Sequence, residues 1–227
     1  MSKNVFHIIK DDIIRTNQLL LKKGIALNSG FPKFIDLEIT SSKQKYFTGD
    51  TKRYCEAYKK IIENKDYLLI LKDLGIFQAT YKLSSNKKSI IKSSLIYYPN
   101  PGEQIGEEFS IGGEFSKEQL FQFARSFDSK YIRIDTNPES YKEILHPFSH
   151  LHIGIYPTGR IALNNIPRFS EFVDFILFLY YPDEWKILND IDSEEKIDNY
   201  YKKRCLPKLL AVNLPTLREK VHYTLNI

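Results

Sequence analysis

Apolar and polar residues alternate in the middle of the chain, between residues 67 and 98, and two short polar segments interrupt the alternation. A period of two is typical of strands with one buried face. The pattern predicts strands at residues 67–72, 76–83 and 90–98. Because the connections at 73–75 and 84–89 are short, we expect these strands to form an antiparallel meander.

Elsewhere in the chain the apolar residues recur at the spacing of helices. Helices are predicted at residues 3–23, 51–64, 116–127, 139–145, 172–180, 192–204 and 214–222. Asp11 and Asp12 interrupt the first pattern, so two short helices are expected there, and Gly24 ends it. Alternation at residues 35–39 predicts one short strand.

These elements predict an α+β fold with an antiparallel sheet of about five or six strands and helices on one face and at both termini. At 227 residues the chain is expected to form a single domain. Its predicted parts are an N-terminal helical part (1–66), a β-meander with a histidine hairpin (67–165) and C-terminal helices (166–227).

The segment 146–154 contains three of the five histidines of the chain. In a strand, His150 and His152 point to one face, while Leu151 points to the other face and into the core. Gly154 is expected to follow on the histidine face and to leave bare backbone beside the imidazoles. Two groups that exchange protons near neutral pH predict a reaction site or a polar-ligand site. The alternative is that both are structural histidines satisfied by local hydrogen bonds.

A hairpin is predicted to follow the histidine strand. Residues 157–159 predict a three-residue loop in which Gly159 adopts the left-handed backbone conformation. In that register Tyr156 faces Arg160, and Gly154 faces Ala162. The two smallest residues would then form a shallow floor on the histidine face.

The strand predicted at 131–135 carries Arg133 and Asp135 on its polar face. If it pairs with the histidine strand, one histidine can accept the proton of a ribose 2′-hydroxyl while the other protonates the leaving 5′-oxygen. An arginine would stabilise the pentavalent phosphate, and Asp135 would orient an imidazole. The expected catalytic residues are His150, His152, Arg133 and Asp135, and the expected substrate-binding residues are His146, Tyr156 and Arg160. An ordinary cross-strand ion pair is the alternative for Arg133 and Asp135.

A metal site is a second interpretation of the same segment. His146, His150 and His152 would bind a divalent ion, and Asp135 or a glutamate of the glycine-rich loop at 102–113 would complete the ligands. Local spacing places no fourth ligand, so no cofactor is expected in the leading interpretation. The zinc-hydrolase pattern His-x-His-x-Asp-His is excluded, because Ile-Gly-Ile follows His152.

Composition and charge add bounds on partner and compartment. The 33 basic and 28 acidic residues give a formal net charge of +5, which is compatible with a polyanionic partner. Cys55 and Cys205 are expected to be free thiols of a cytoplasmic protein. We expect no signal peptide and no membrane partner, because residues 1–10 lack a long apolar segment and the apolar run at 172–181 is too short to span a bilayer.

Several segments resemble a bacterial domain-of-unknown-function family, number 2290. The matching segments read DLGIFQATY (73–81), LIYYPNP (95–101), YIRID (131–135), HPFSHLHIG (146–154), RIAL (160–163) and IP (166–167), with residues 172–185 completing the pattern. The resemblance covers roughly residues 67–185 and departs at the turn 73–75 and the hairpin segment 160–162. It implies a small bacterial cytoplasmic protein, supplies no activity, and associates the chain with mobile or defence-related genes.

The leading interpretation is a nuclease-like phosphodiesterase that is independent of metal and acts on RNA, in a bacterial defence or toxin context. A first alternative is a non-catalytic nucleic-acid- or protein-binding subunit of a bacterial defence or DNA-processing complex, in which the histidines are structural. A second alternative is a metal-dependent hydrolase. The expected partners are nucleic acid, with RNA favoured, and a protein in a multi-subunit complex.

Overall fold

The computed structural model describes residues 4–42, 46, 51–101, 130–142, 146–155, 159–193, 196 and 224–225. Within these residues the helices are α1 (Val5–Lys22), α2 (Thr51–Glu63), α3 (Phe169–Tyr180) and α4 (Pro182–Leu188), with a short 3₁₀ helix at Pro138–Ser140. The strands are β1 (Ala26–Ser29), β2 (Lys33–Ile35), β3 (Glu38–Thr40), β4 (Leu69–Leu71), β5 (Ile76–Leu83), β6 (Ile90–Tyr98), β7 (Ile132–Thr136), β8 (Ser149–Ile153), β9 (Ile161–Leu163) and β10 (Thr224–Leu225).

All of these strands belong to one sheet, in the order β1-β4-β5-β6-β7-β8-β9-β10, and the β2–β3 hairpin joins it where β3 pairs with β5. Every pair is antiparallel except β9–β10, which is parallel. The predicted α+β fold with an antiparallel sheet is therefore confirmed. The sheet has more strands than expected, because very short strands of two to four residues extend it at both edges.

The main core lies on one face of the sheet, beneath α1 and α3. Phe77, Leu95, Ile134 and Leu151 come from four neighbouring strands and are all fully buried there. The ring of Phe77 lies 5.9 Å from that of Phe172 on α3. This is the expected result of alternation, since each of these strands turns its apolar side chains to the same face.

α2 packs on the opposite face, at one end of the sheet, although we expected helices on one face. Tyr54 and Tyr58 of α2 are buried in a second cluster with Ile76, Tyr98 and Tyr131. Ile76 lies on β5, Tyr98 on β6 and Tyr131 just before β7, and all three share the face of the polar residues of these strands. The apolar stripe of α2 thus covers only the part of that face that is itself apolar, and the polar part lies beside it.

α1 is one continuous helix rather than the two short helices that the sequence predicts. Asn4 caps its first turn, since its side chain accepts a hydrogen bond from the backbone N–H of Phe6 at 3.1 Å. Asp12 does not break the helix, because its carboxylate accepts hydrogen bonds from Ser170 at the start of α3. Asp12 therefore interrupts the apolar pattern of α1 because it makes a contact with α3.

The N-terminal part contains strands as well as helices. Residues 35–39, which predict one strand, instead span the end of β2, the turn at 36–37 and the start of β3, and Asp36 in this turn has a φ of 51°. Asp tolerates this left-handed conformation better than most residues do. The helices predicted at 116–127 and 214–222, most of the one at 192–204, the loop at 102–113 and Cys205 lie outside the described residues.

Cys55 on α2 is a free, partly buried thiol, and burial raises its pKa to about 12. Such a thiol is a poor nucleophile at neutral pH. In the part of the chain that the structure covers, no helix has both the length and the apolar content that crossing a bilayer requires.

Candidate functional site

The histidine strand occupies the polar part of the sheet face that α2 leaves uncovered. A row of directly opposed residues runs across six strands there, and we call it the Asp135 row. Its members are Thr40 (β3), Thr80 (β5), Ser94 (β6), Asp135 (β7), His150 (β8) and Ala162 (β9). The neighbouring row contains Arg133 opposite His152. The sheet register therefore brings the histidines, the aspartate and the arginine together.

The pairing of β7 with β8 is the one that the sequence analysis required. Asp135 lies opposite His150 and Arg133 lies opposite His152. In an antiparallel pair, directly opposite residues point to the same face of the sheet. All four predicted catalytic residues therefore lie on one face of two adjacent strands. Leu151 and Ile134 point to the other face and are buried in the core.

The predicted hairpin register is wrong. Ala162 pairs with His150 and not with Gly154, which lies after the end of β8. Gly154 has a φ of +83°, and its N–H donates a hydrogen bond to the backbone carbonyl of Tyr131 at 2.8 Å. The connection is therefore longer than three residues, and Tyr156 lies outside the described residues. Because the shift is by an even number of residues, Ala162 stays on the histidine face.

His150 is held in one orientation by its own turn. Its Nδ1 lies 2.9 Å from the backbone carbonyl oxygen of Pro147, and only 1 % of the residue is exposed. A carbonyl oxygen only accepts, so Nδ1 carries the proton and Nε2 keeps its lone pair. Burial lowers the pKa of His150 to about 4, although the hydrogen bond to Pro147 acts in the opposite direction. The imidazole is neutral at pH 7.

His152 is also buried and neutral. It is 3 % exposed, and its Nε2 lies 3.7 Å from Oδ2 of Asp135. Burial lowers its pKa to about 4, and the positive charge of Arg133 adds to this effect. The rings of His150 and His152 meet edge to face with centroids 4.7 Å apart.

Asp135 is fixed from both sides. The hydroxyl of Ser94 donates a hydrogen bond to its Oδ1 at 2.8 Å, and Nε of Arg133 lies 2.8 Å from its Oδ2. The ion pair considered as the alternative for these two residues is thus present, although it runs along β7 instead of between strands. The side chains of Arg133 and Asp135 remain 31 % and 25 % exposed, so the pair faces the cleft.

His146 lies next to the pair of strand histidines. Residues 139–145 predict a helix, but the described part forms the 3₁₀ helix and then a bridge between Lys142 and His146, with backbone hydrogen bonds of 2.7 and 3.0 Å. This bridge brings the ring of His146 to 4.6 Å from that of His150. Burial and, secondly, the charge of Arg160 lower the pKa of His146.

These residues line a cleft of about 520 Å³. Its walls include four cationic side chains, Lys82, Lys92, Arg133 and Arg160, against the carboxylates of Glu38 and Asp135. Sequence reasoning missed Ser94, Thr80, Lys82 and Lys92 as site residues. Their signal was present, because alternation in β5 and β6 turns them to the face opposite the core, but only the strand pairing shows that they adjoin the histidines.

Asp135, His150 and His152 offer one ligand atom each, and these atoms lie within 4.8 Å of one another. His146 is not in this group, so the set differs from the three histidines of the metal interpretation. Chemically, two neutral imidazoles and a carboxylate can accept a proton or bind a cation. Neither imidazole carries a proton to donate as an imidazolium at pH 7.

The family model described as "Uncharacterized conserved protein (DUF2290)" matches residues 27–210. No curated protein and no solved structure matches the chain. The match spans most of the chain and includes every described residue of the cleft named above. The chain therefore belongs to the domain-of-unknown-function family 2290.

Proposed function

We propose that the protein is a nuclease-like phosphodiesterase whose cleft binds RNA and whose reacting centre is the group Asp135, His150 and His152. The observation that supports this function is the convergence of the three side chains on two adjacent strands of one cleft. We further propose that the protein acts in the bacterial cytoplasm, in a defence-related setting.

The charges around the cleft support a polyanionic substrate. Arg133 and Arg160 lie next to the histidines, and Lys82 pairs directly with Lys92 on the neighbouring strands. Like charges directly opposite each other destabilise a sheet, and a bound phosphate chain would relieve that repulsion. Arg160 is exposed and has no ion-pair partner among the residues that the structure describes, so it is available for a phosphate.

The neutral groups on the floor of the cleft favour RNA over DNA. Thr80 on β5 and Ser94 on β6 line the cleft; their hydroxyls bond to Thr40 and Asp135, and a hydroxyl oxygen in such a bond keeps capacity to accept a further one. A ribose 2′-hydroxyl both donates and accepts hydrogen bonds, so such groups distinguish RNA from DNA.

In the proposed reaction the ribose 2′-oxygen attacks the adjacent phosphorus and the bond from phosphorus to the 5′-oxygen breaks. The products are a 2′,3′-cyclic phosphate and a 5′-hydroxyl; the reacting centre takes up the proton of the attacking hydroxyl and passes a proton to the departing 5′-oxygen. Arg133 and Arg160 stabilise the charge on phosphate. Both imidazoles are neutral, which supports a role in taking up a proton. The same observation does not support a histidine as the proton donor in a reaction without metal.

A binding subunit remains the second candidate, because His150 and His152 are almost completely buried. Buried histidines with a fixed backbone partner, such as His150, are common structural residues. A binding subunit would use the same basic cleft without breaking a bond, and a protein partner would then supply the catalytic residues.

The test is cleavage of single-stranded RNA by the purified protein, with zinc, with manganese and with EDTA, and analysis of the product ends. We compare His150→Ala and His152→Ala with His7→Ala, which removes an exposed histidine of α1. We expect cleavage to fall by at least about 100-fold in the two cleft variants, to persist in the control, and to leave DNA intact.

Equal cleavage by the wild type and both cleft variants would assign the activity to a contaminant and contradict the proposal. Binding of RNA with no cleavage under any of the three conditions would favour the binding subunit. Circular dichroism of each variant establishes that it is folded.

A further inference from the structure

We propose that Asp135, His150 and His152 form a binding site for a divalent transition metal, with zinc as the favoured ion. This inference goes beyond the proposed function, because it names a cofactor for the reacting centre. It draws on the proposed function only for the role of the metal in RNA cleavage.

The distances between the candidate ligands fit one shared ion. Nε2 of His152 and Oδ2 of Asp135 are 3.7 Å apart, which is longer than a hydrogen bond. Two ligands about 2.1 Å from one zinc ion in tetrahedral geometry are about 3.4 Å apart. All three ligand atoms lie within 4.8 Å of one another, so a side-chain movement of at most about 1.4 Å brings them to that spacing.

The orientation of the ligands is fixed by hydrogen bonds outside the group. His150 donates from Nδ1 to the carbonyl oxygen of Pro147 at 2.9 Å, which leaves the lone pair of Nε2 on the side of the cleft. Ser94 donates to Oδ1 of Asp135 at 2.8 Å and leaves Oδ2 towards His152. Partners of this kind on the far side of each ligand are typical of metal sites.

His152 provides an independent indication of a ligand. It is 3 % exposed, and among the described residues its Nδ1 has no hydrogen-bond partner. A buried imidazole nitrogen without a hydrogen-bond partner loses the water that it would bind in the unfolded chain. Coordination of Nε2, which lies 3.7 Å from Oδ2 of Asp135, to an ion would compensate for that loss elsewhere on the same ring.

Two nearby cations oppose a bound metal. Arg133 lies 2.8 Å from Oδ2 of Asp135, and Arg160 faces the same cleft. A carboxylate oxygen has two lone pairs, so Asp135 can bind an ion and retain the arginine. The binding free energy of zinc in protein sites is large enough to exceed such a repulsion.

The ligand types favour zinc over magnesium or calcium. Two imidazoles and one carboxylate suit zinc and neighbouring transition metals, whereas magnesium and calcium prefer oxygen ligands. Three protein ligands leave a fourth position for water, as in catalytic zinc sites. In RNA cleavage, that water would lose a proton to solvent because the metal lowers its pKa, and the resulting hydroxide would take up the proton of the 2′-hydroxyl.

The experiment measures metal binding directly and does not depend on activity. The full chain is treated with EDTA, exchanged into metal-free buffer, and titrated with zinc by calorimetry and with cobalt by visible absorption. We expect one ion per chain and the visible absorption bands of cobalt bound in a site of low coordination symmetry. We expect affinity to fall by at least about 100-fold in His150→Gln, His152→Gln and Asp135→Asn, and to be unchanged in His7→Gln.

A fourth variant, His146→Gln, tests the ligand set. We expect it to bind zinc within a factor of about three of the wild type, because its ring lies beside His150 but outside the group. Loss of binding in this variant would overturn the assignment of Asp135 as the third ligand in favour of three histidines. If one histidine variant fails to fold, Asp135→Asn, which keeps the size of the side chain, still tests the site.

The absence of a stoichiometric zinc or cobalt complex would overturn the inference. RNA cleavage that continues in EDTA without bound metal would overturn the role of the metal in cleavage and leave the proposed function in place. Zinc bound by the wild type and lost in the variants, with no cleavage of RNA, would sustain the metal site and contradict the proposed function.

Discussion

Asp12, near the middle of α1, accepts hydrogen bonds from both the backbone N–H and the hydroxyl of Ser170, at 3.0 and 2.6 Å, in the first turn of α3. A carboxylate on one helix thus satisfies donor groups at the start of another, 158 residues later in the chain. The contact joins the two helices that cover the main core.

We expect Asp12→Ala to lower the free energy of unfolding by about 1–3 kcal/mol, because it leaves both donors of Ser170 without their acceptor. Urea denaturation measures the change. Asp11→Ala is the matched control, since it removes the neighbouring carboxylate of the same helix and should change stability by less than about 0.5 kcal/mol. Equal losses in the two variants would show that the contact with Ser170 is not the cause.

Gly30 lies where two backbone segments approach closely. A Cβ at this position would lie 1.9 Å from the carbonyl oxygen of Tyr67, and a backbone atom cannot move aside cheaply. We expect Gly30→Ala to lower the free energy of unfolding by about 2–4 kcal/mol in thermal or urea denaturation. Gly159→Ala serves as the control, because its Cβ would meet nothing within 4 Å. A stability equal to the wild type in both variants would contradict the close approach.

Stability in EDTA should fall on acidification. Burial lowers the pKa values of His150 and His152 to about 4, whereas histidine in the unfolded chain titrates near 6.5. Between these values the unfolded chain binds protons that the folded chain does not, so lower pH favours unfolding. From pH 7 to pH 5 we expect a loss of about 1–2 kcal/mol per histidine, measured by urea denaturation at each pH.

Substitution of the cleft histidines tests whether they cause this pH dependence. His150→Gln and His152→Gln should each flatten the slope between pH 7 and pH 5, whereas His7→Gln should leave it unchanged. An unchanged slope in both cleft variants would mean that other groups cause the acid sensitivity.

Ser94 should matter to the site although it is not in the reacting centre. Ser94→Ala removes the hydrogen bond that orients Asp135, so we expect zinc affinity and RNA cleavage to fall by about tenfold. Ser29→Ala is the control, because Ser29 lies on β1 and is not part of the cleft. Similar effects of the two substitutions would contradict a positioning role for Ser94.

Much of the site could be predicted because it depends on alternation alone. The period of two in the predicted strands assigns His150, His152, Arg133 and Asp135 to polar faces before any pairing is known. The pairing of β7 with β8, which are separated by 12 residues, was a condition of the sequence argument, and the structure provides it. The convergence of the four residues thus combines local patterns in two segments with one long-range pairing.

The remainder depends on backbone geometry and long-range contacts. The left-handed φ of Gly154 ends β8 early and moves the β8–β9 register, and the side-chain pattern carries no signal for it. The contact of Asp12 with Ser170 resembles a helix break in the sequence, because a carboxylate within the apolar pattern looks like a polar interruption. The side on which α2 packs depends on Tyr98 and Tyr131, whose shared face becomes clear only when β6 and β7 are placed in the sheet.

The Asp135 row crosses six strands, and adjacent strands in a sheet are rotated by about 20–25° relative to each other. Over five strand pairs the surface beneath the row turns through roughly 100°. A molecule that follows the row from Thr40 to Ala162 has to wind with it over a short distance. A single-stranded chain can do so at little cost, whereas a double helix, which stays straight over about 150 base pairs, cannot. The twist of the sheet thus favours flexible ligands over stiff ones.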